Sequence, residues 1–382
     1  MCPMLLRSAR CGWISDKTFE RGEGTRYDFG SMKYPRRHWG KRLTIGLVSL
    51  CISVFVFECA LRWGLASSSV PTLGDPGRYF DPLCDEDYWR ALRRGAYGEG
   101  LHRVGPNDRD PILGWIPERN RLDANLALKT GGSVTDEASP ISLFGDSYML
   151  GTASDGSRIS DVMDAQLPRR SVHNFGVGGY GLDQIVLRHQ DRLPALSPGD
   201  VVVVGVLTTD LDRTILQVRD APKPRFEFDP SGQLIAHPPD VDVNEDWFDR
   251  HPVQSWSLVG QRIHRTVALW RAQSNPALHP DCQRKAKEEL GSALLMRLGR
   301  QCTENKLNCY LLVFYRPIDL EYGAGWRRAV LTSEYGMPVL DSWDWFQSYP
   351  DHWRTLYGQD NHPNALGNEY IAKRILMAVD LP

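Results

Sequence analysis

From residue 139 onward, short uninterrupted apolar runs alternate with stretches whose apolar residues recur every three or four positions. The runs Ile141–Phe144, Ser171–Phe175, Val201–Leu207, Cys309–Tyr315 and Met337–Leu340 read as strands. Residues 157–167, 182–193, 283–303, 325–334 and 365–379 read as helices. In the last of these, Leu366, Tyr370, Ile371, Ile375 and Ala378 fall near one face. Strands that are apolar throughout are buried on both sides, so the pattern predicts an α/β domain with a parallel sheet between helical layers. Residues 208–281 interrupt the alternation as a long insertion between the third and fourth strands. Inside it, Arg225–Phe228 and Gln233–Ile235, joined at Asp229-Pro230-Ser231-Gly232, predict a hairpin, and 253–272 a helix.

One earlier stretch is apolar without alternation. Leu43 to Phe57 carries no charge, and extension to Leu61 gives 19 residues. That is about 28 Å of helix, close to a hydrocarbon core of roughly 30 Å. A buried core helix, a cleaved signal peptide ending near Ala66-Ser67-Ser68-Ser69 and an uncleaved anchor all fit. The uncleaved anchor over residues 43–62 is adopted, because Glu58 and Arg62 at i, i+4 can pair where the span meets water. A start at Met32 would shorten the leader before it.

Charge sharpens this division. The 382-residue chain has 45 basic and 47 acidic residues, a net charge of −2 that argues against a nucleic-acid partner. Residues 1–42 hold ten Lys or Arg against four acids, which gives +6, and the rest of the chain sums to −8. A basic leader before a span predicts a cytoplasmic N-terminus, with the remainder in the periplasm if the membrane is a bacterial inner membrane. Residues 63–138, rich in Gly, Pro and Asp, read as a spacer and wrapping segment. Asp110 to Trp115 within it reads as a short docking hairpin. The domain of interest spans residues 139–382. Eight cysteines are too few for a disulfide scaffold. Cys84, Cys282, Cys302 and Cys309 allow two disulfides or none, and Cys302–Cys309 would close a short loop into the fourth strand.

Three segments carry candidate chemistry. The first strand ends in Phe144-Gly145-Asp146-Ser147, and ligand sites of doubly wound sheets lie beyond the carboxyl ends of their strands. The second strand runs into Asn174-Phe175-Gly176-Val177-Gly178-Gly179-Tyr180-Gly181, a loop able to offer a backbone N–H to an oxyanion. Near the C-terminus, Asp360-Asn361-His362-Pro363-Asn364 places an acid two residues before an imidazole. Pro363 favours an extended His362, which lets Asp360 and His362 project together and Asn364 cap the last helix. Each segment alone also reads as an ordinary turn. Together they put a serine, a glycine loop and an Asp/His pair at one edge of one sheet. His173, His189, His251 and His264 show no metal-ligand spacing, and no metal or cofactor is expected. Asp341 reads as a turn cap or a site residue. Trp343, Trp345 and Phe346 read as packing or as a sugar platform.

These three motifs resemble the SGNH/GDSL hydrolase superfamily, esterases and acyltransferases on a three-layer flavodoxin-like α/β fold. The resemblance covers residues 139–382. It implies Ser147 as nucleophile, His362 as general base and Asp360 as its orienting acid. It implies an oxyanion hole built from the Ser147 and Gly179 N–H groups. The anchor with Glu58 and Arg62, and Gly114-Trp115, resemble membrane-anchored bacterial members. Two departures stand out. The acid and base are spaced Asp-x-His rather than Asp-x-x-His, and Thr209 stands where the family places an oxyanion-donating Asn. Removing one such donor costs roughly 10²–10³ in rate. Either Thr209 donates, or two backbone donors suffice, or activity is low.

The expectation is a serine esterase or O-acyl(acetyl)transferase acting on a cell-envelope carbohydrate or small ester. The competing expectation is a weakly active or inactive protein of the same fold that binds glycan or serves polysaccharide assembly.

Overall fold

A computed structural model describes residues 37–66, 108–124, 126–128, 139–151, 156–217, 219, 221–239, 256–274 and 283–379. The basic leader up to residue 36, most of the spacer, His251, Cys84 and Cys282 lie outside the described residues. The chain divides into two units, Met1–Ser53 and Val54–Pro382. The described part of the first is helix α1 (Arg37–Ala66) up to Ser53, and its apolar side chains are exposed. One stretch of α1, Gly40–Gly64, is long and apolar enough to cross a membrane. It exceeds 43–62 at both ends because the helical backbone continues through charged and glycine residues that end an apolar count.

In the second unit, β3 (Ile141–Phe144), β4 (Val172–Asn174), β5 (Val201–Leu207), β8 (Asn308–Phe314) and β9 (Val339–Asp341) form a five-stranded sheet in the order β4-β3-β5-β8-β9. Every pairing is parallel. All seven residues of β5, Val-Val-Val-Val-Gly-Val-Leu, are buried, as a central strand covered on both faces requires. Helix α3 (Ile159–Gln166) packs against α11 (Ala365–Ala378), and α4 (Leu182–Arg192) against α7 (Arg284–Glu304). The predicted elements are present, with ends shifted by a few residues.

Four short helices escaped the periodic pattern. They are α2 (Ser147–Leu150), α5 (Asp210–Arg213), α8 (Pro317–Tyr322) and α10 (Ser342–Gln347). Each is under two turns long, too short to show a 3.6-residue repeat. Another short helix, α9 (Trp326–Leu331), covers only part of 325–334. Outside the main sheet, β6 (Arg225–Phe228) and β7 (Leu234–His237) form the hairpin of the insertion, and α6 (Leu258–Ser274) its helix.

Residues Arg109–Asp110 (β1) and Gly114–Trp115 (β2) pair as a two-residue hairpin. The Asp110 carboxylate accepts from the Ile112 and Leu113 N–H groups at 2.9 and 2.8 Å and so closes the turn. The hairpin docks through Leu113 and Trp115, both buried, and the Gln184 side chain donates to the Leu113 carbonyl at 2.8 Å. Cys302 and Cys309 are joined as a disulfide between α7 and β8. His189 lies close to both sulfurs, with its Nδ1 facing Gln301 at 3.1 Å. Burial pushes His189 down to about 4, so the ring is neutral at pH 7.

Candidate active site

Ser147 opens α2 directly beyond β3, at the carboxyl edge of the sheet. Asp146 holds the turn as the helix cap, its Oδ1 accepting from the Tyr148 N–H at 2.8 Å. From the opposite end of the sequence, His362 brings Nε2 to 2.9 Å from Ser147 Oγ. On the other side of the ring, Nδ1 lies 3.1 Å from Asp360 Oδ2. With Nδ1–H donated to Asp360, Nε2 is the acceptor and the serine hydroxyl donates to it. Side-chain exposure is 25 % for His362 and 59 % for Asp360, so the acid stands at the outer, wet end of the relay.

Two side chains that sequence reasoning passed over hold this geometry. The Tyr148 hydroxyl donates to the Asn361 carbonyl at 2.6 Å, tying the serine's helix to the histidine's loop. Burial pushes the Tyr148 phenol far up, with the Asp146 charge adding to it, so it remains a donor. Arg213 donates through Nη1 to Asp146 Oδ2, Asp210 Oδ1 and the Tyr180 carbonyl at 3.1, 2.7 and 2.7 Å. This buried guanidinium holds together the acids that follow two strand ends. Burial and the neighbouring Asp146 push Asp210 well above the usual carboxylate range. The i, i+3 spacing of Asp210 and Arg213 is visible in the sequence, but the partner Asp146 is not.

The glycine loop lies across the serine. Asn174 accepts the Gly176 N–H at 2.9 Å and donates to the Met149 carbonyl at 2.9 Å, which fixes the loop against α2. A Cβ on Gly176 would sit 2.5 Å from the Leu150 nitrogen, so no larger residue fits this approach. Gly179 has φ +83°, in the left-handed region. The Trp115 indole donates to the Gly178 carbonyl at 3.1 Å, and the Tyr180 hydroxyl donates back to the Trp115 carbonyl. The docking hairpin is thus a wall of the site. A cavity of about 440 Å³ opens here, lined by Ser147, His362, Gly178, Gly179, Trp115 and Arg213 among others.

Of the residues anticipated from sequence, Ser147, Gly179 and His362 share this cavity and Asp360 backs it. Thr209 does not line it. Thr209 is buried, and its Oγ1 has no hydrogen-bond partner among the described residues. Asp341 caps α10, accepting from the Trp343 N–H at 3.0 Å, and pairs with Arg328 at 2.7 Å. Trp343 packs edge-on against Tyr315 beneath Arg328, while Trp345 and Phe346 are buried.

The fold and site define a parallel α/β protein with a serine, an imidazole and a carboxylate aligned at the carboxyl edge of the sheet. No family model matches the chain, and no curated protein matches it. Among solved structures it is similar to a lipolytic protein of the G-D-S-L family from Veillonella parvula DSM 2008. That match has 12 % identity over 63 % of this chain and 98 % of the other, with a TM-score of 0.36. It is also similar to a putative lipolytic protein of that family from Desulfitobacterium hafniense DCB-2, at 14 % identity over 62 % and 99 %, TM-score 0.32. A third is the lipase Lip_vut3 from a goat rumen metagenome, at 14 % identity over 63 % and 97 %, TM-score 0.34. In the central sheet the second strand lies outside the first, and the serine follows directly after the first. TM-scores of 0.32–0.36 carry neither the fold nor the chemistry, which rest on the sheet and the side chains described above.

Proposed function

We propose that the protein is a serine esterase or O-acyltransferase held at a membrane by α1. The observation that carries this reading is the 2.9 Å approach of His362 Nε2 to Ser147 Oγ, with Asp360 on the far nitrogen. Ser147 Oγ attacks an ester carbonyl as His362 takes its proton. The carbonyl π electrons move onto oxygen, where the Ser147 and Gly179 N–H groups stabilise the charge. Collapse expels the alcohol, which takes the proton from His362, and leaves an acyl-serine. Water or a sugar hydroxyl then attacks, giving its proton to His362, and Ser147 is released as the proton returns. An acetyl group on a cell-envelope glycan is the substrate proposed, from the location inferred for the domain and the family resemblance. The charge division around α1 supports a cytoplasmic N-terminus and an extracytoplasmic catalytic domain.

Incubation with p-nitrophenyl acetate, with and without an oligosaccharide acceptor, tests this reading. Acetate release marks an esterase and acetylated sugar a transferase. No acyl-serine and neither product would refute both.

The position of Thr209 outside the cavity lining favours a second reading, a weakly active protein whose main role is glycan binding or polysaccharide assembly. Wild-type turnover of p-nitrophenyl acetate set against its binding of an oligosaccharide separates the two, and Thr209→Asn tests whether this position can supply a donor. If an absent side-chain donor limits the rate, this variant gains about tenfold or more in kcat for the same ester. An unchanged or lower kcat means that position 209 does not reach the oxyanion, as its burial outside the cavity lining leads one to expect.

A further inference from the structure

Helix α6 (Leu258–Ser274) presents an apolar face that is exposed and, among the described residues, carries no packed partner. Ile263, Val267 and Trp270 are 59 %, 37 % and 65 % exposed, and with Val259 they fall on one stripe at i, i+4, i+8 and i+11. His264 and Arg271 border that stripe. The helix has three arginines and no acidic residue, so it is basic as a whole. An exposed apolar stripe on a basic helix of 17 residues is the composition of a helix lying in a lipid headgroup region.

What covers the stripe is indicated by where α6 begins. The Glu58 carboxylate, on the last turns of α1, accepts from Ser257 Oγ, the Leu258 N–H and the Val259 N–H at 3.0, 2.9 and 3.0 Å. Arg62 pairs with the same carboxylate at 2.7 Å. One side chain therefore satisfies the free N–H groups that open α6 and marks the polar end of the apolar stretch of α1. Trp63 and Trp256 flank this clasp at 60 % and 97 % exposure. Tryptophans concentrate where a bilayer meets water.

We propose that α6 is an interfacial helix. Its Ile263, Val267 and Trp270 enter the outer acyl region of the bilayer that α1 crosses, and the exposed Arg271 at the border of the stripe favours anionic headgroups. This rests on the reading of α1 as a membrane anchor. It adds a second, peripheral contact that fixes the height of the catalytic domain above the lipid.

The test uses the full chain in vesicles of phosphatidylcholine and phosphatidylglycerol. A fluorescent amino acid replaces Ile263, Val267, Gln261 or Leu50, and the lipids carry a nitroxide quencher close to the headgroup or deep in the acyl chain. All four positions are exposed, so the replacements leave the packed core intact. Positions 263 and 267 should be quenched by the shallow nitroxide at least ~2-fold more strongly than 261, and position 50 by the deep one. Removing phosphatidylglycerol should weaken the quenching at 263 and 267. If position 50 is quenched but 263 and 267 behave like 261, the interfacial helix is refuted and the anchor stands. If position 50 is unquenched by either lipid, the anchor reading fails and this proposal falls with it.

Discussion

Ser147→Ala is expected to abolish covalent labelling by a fluorophosphonate and to lower ester turnover by at least ~10³-fold. The size of the effect follows from placement. Ser147 Oγ is the hydroxyl 2.9 Å from His362 Nε2, so its removal deletes the bond-forming atom and leaves the base with no proton to take. The variant should fold normally, because the cap of α2 is made by Asp146 and the Ser147 carbonyl still accepts from the Gly151 N–H at 3.0 Å. Asp360→Asn should cost less, about 10–100-fold, because this acid is exposed and water competes for its partner. Equal labelling of wild type and Ser147→Ala would place the nucleophile elsewhere. A fall for Asp360→Asn as steep as that for Ser147→Ala would show that the exposed carboxylate matters as much as a buried one.

Lys223→Met is expected to destabilise the fold by about 3–5 kcal/mol in a denaturant titration. Lys223 and Asp183 form an ion pair in which both side chains are fully buried. Burial pushes the Asp183 carboxyl up and the Lys223 ammonium down, so each charge depends on the other. The ammonium also donates to the Leu216 and Pro224 carbonyls at 3.0 and 3.1 Å. Removing it strands a carboxylate and two acceptors in the interior. Asp183→Leu combined with Lys223→Met should recover much of the loss, since an apolar pair needs no solvation. A single variant within about 1 kcal/mol of wild type would mean that water reaches the pair.

The ion pair also shows where the sequence stops being readable. Apolar runs disclosed the sheet because β5 is buried on both faces, and burial leaves its mark in residue type. A buried Lys223 leaves no such mark, since the same letter usually denotes a solvated residue. Ser147 and the glycine loop were legible because both follow directly from strand ends. The Asp360–His362 pair was legible too, but for an incomplete reason. An extended strand was expected to align the two side chains. Instead Asn361 adopts φ +65°, and the chain makes a tight turn closed by the Gly358 N–H donating to the His362 carbonyl at 2.8 Å. Tyr148, Arg213 and Trp115 act through partners tens to hundreds of residues away, and a local pattern carries no trace of such pairs. Thr209 illustrates the converse. It follows the end of β5 by two residues, yet side-chain direction decides whether a residue faces the cavity, and position along the chain does not fix direction.

The exposure of Asp360 bears on the choice between the two products. Where the relay's outer end is sealed, the protein itself governs which nucleophile meets an acyl intermediate. Here the carboxylate end of the relay is exposed, so under the proposed mechanism this side of the imidazole is not sealed from water. On that reading a bound sugar acceptor would compete with water by covering that side of the site. On the proposed reading the ratio of transfer to hydrolysis would then follow the acceptor's size and residence time, a small ester favouring hydrolysis and a long glycan favouring transfer.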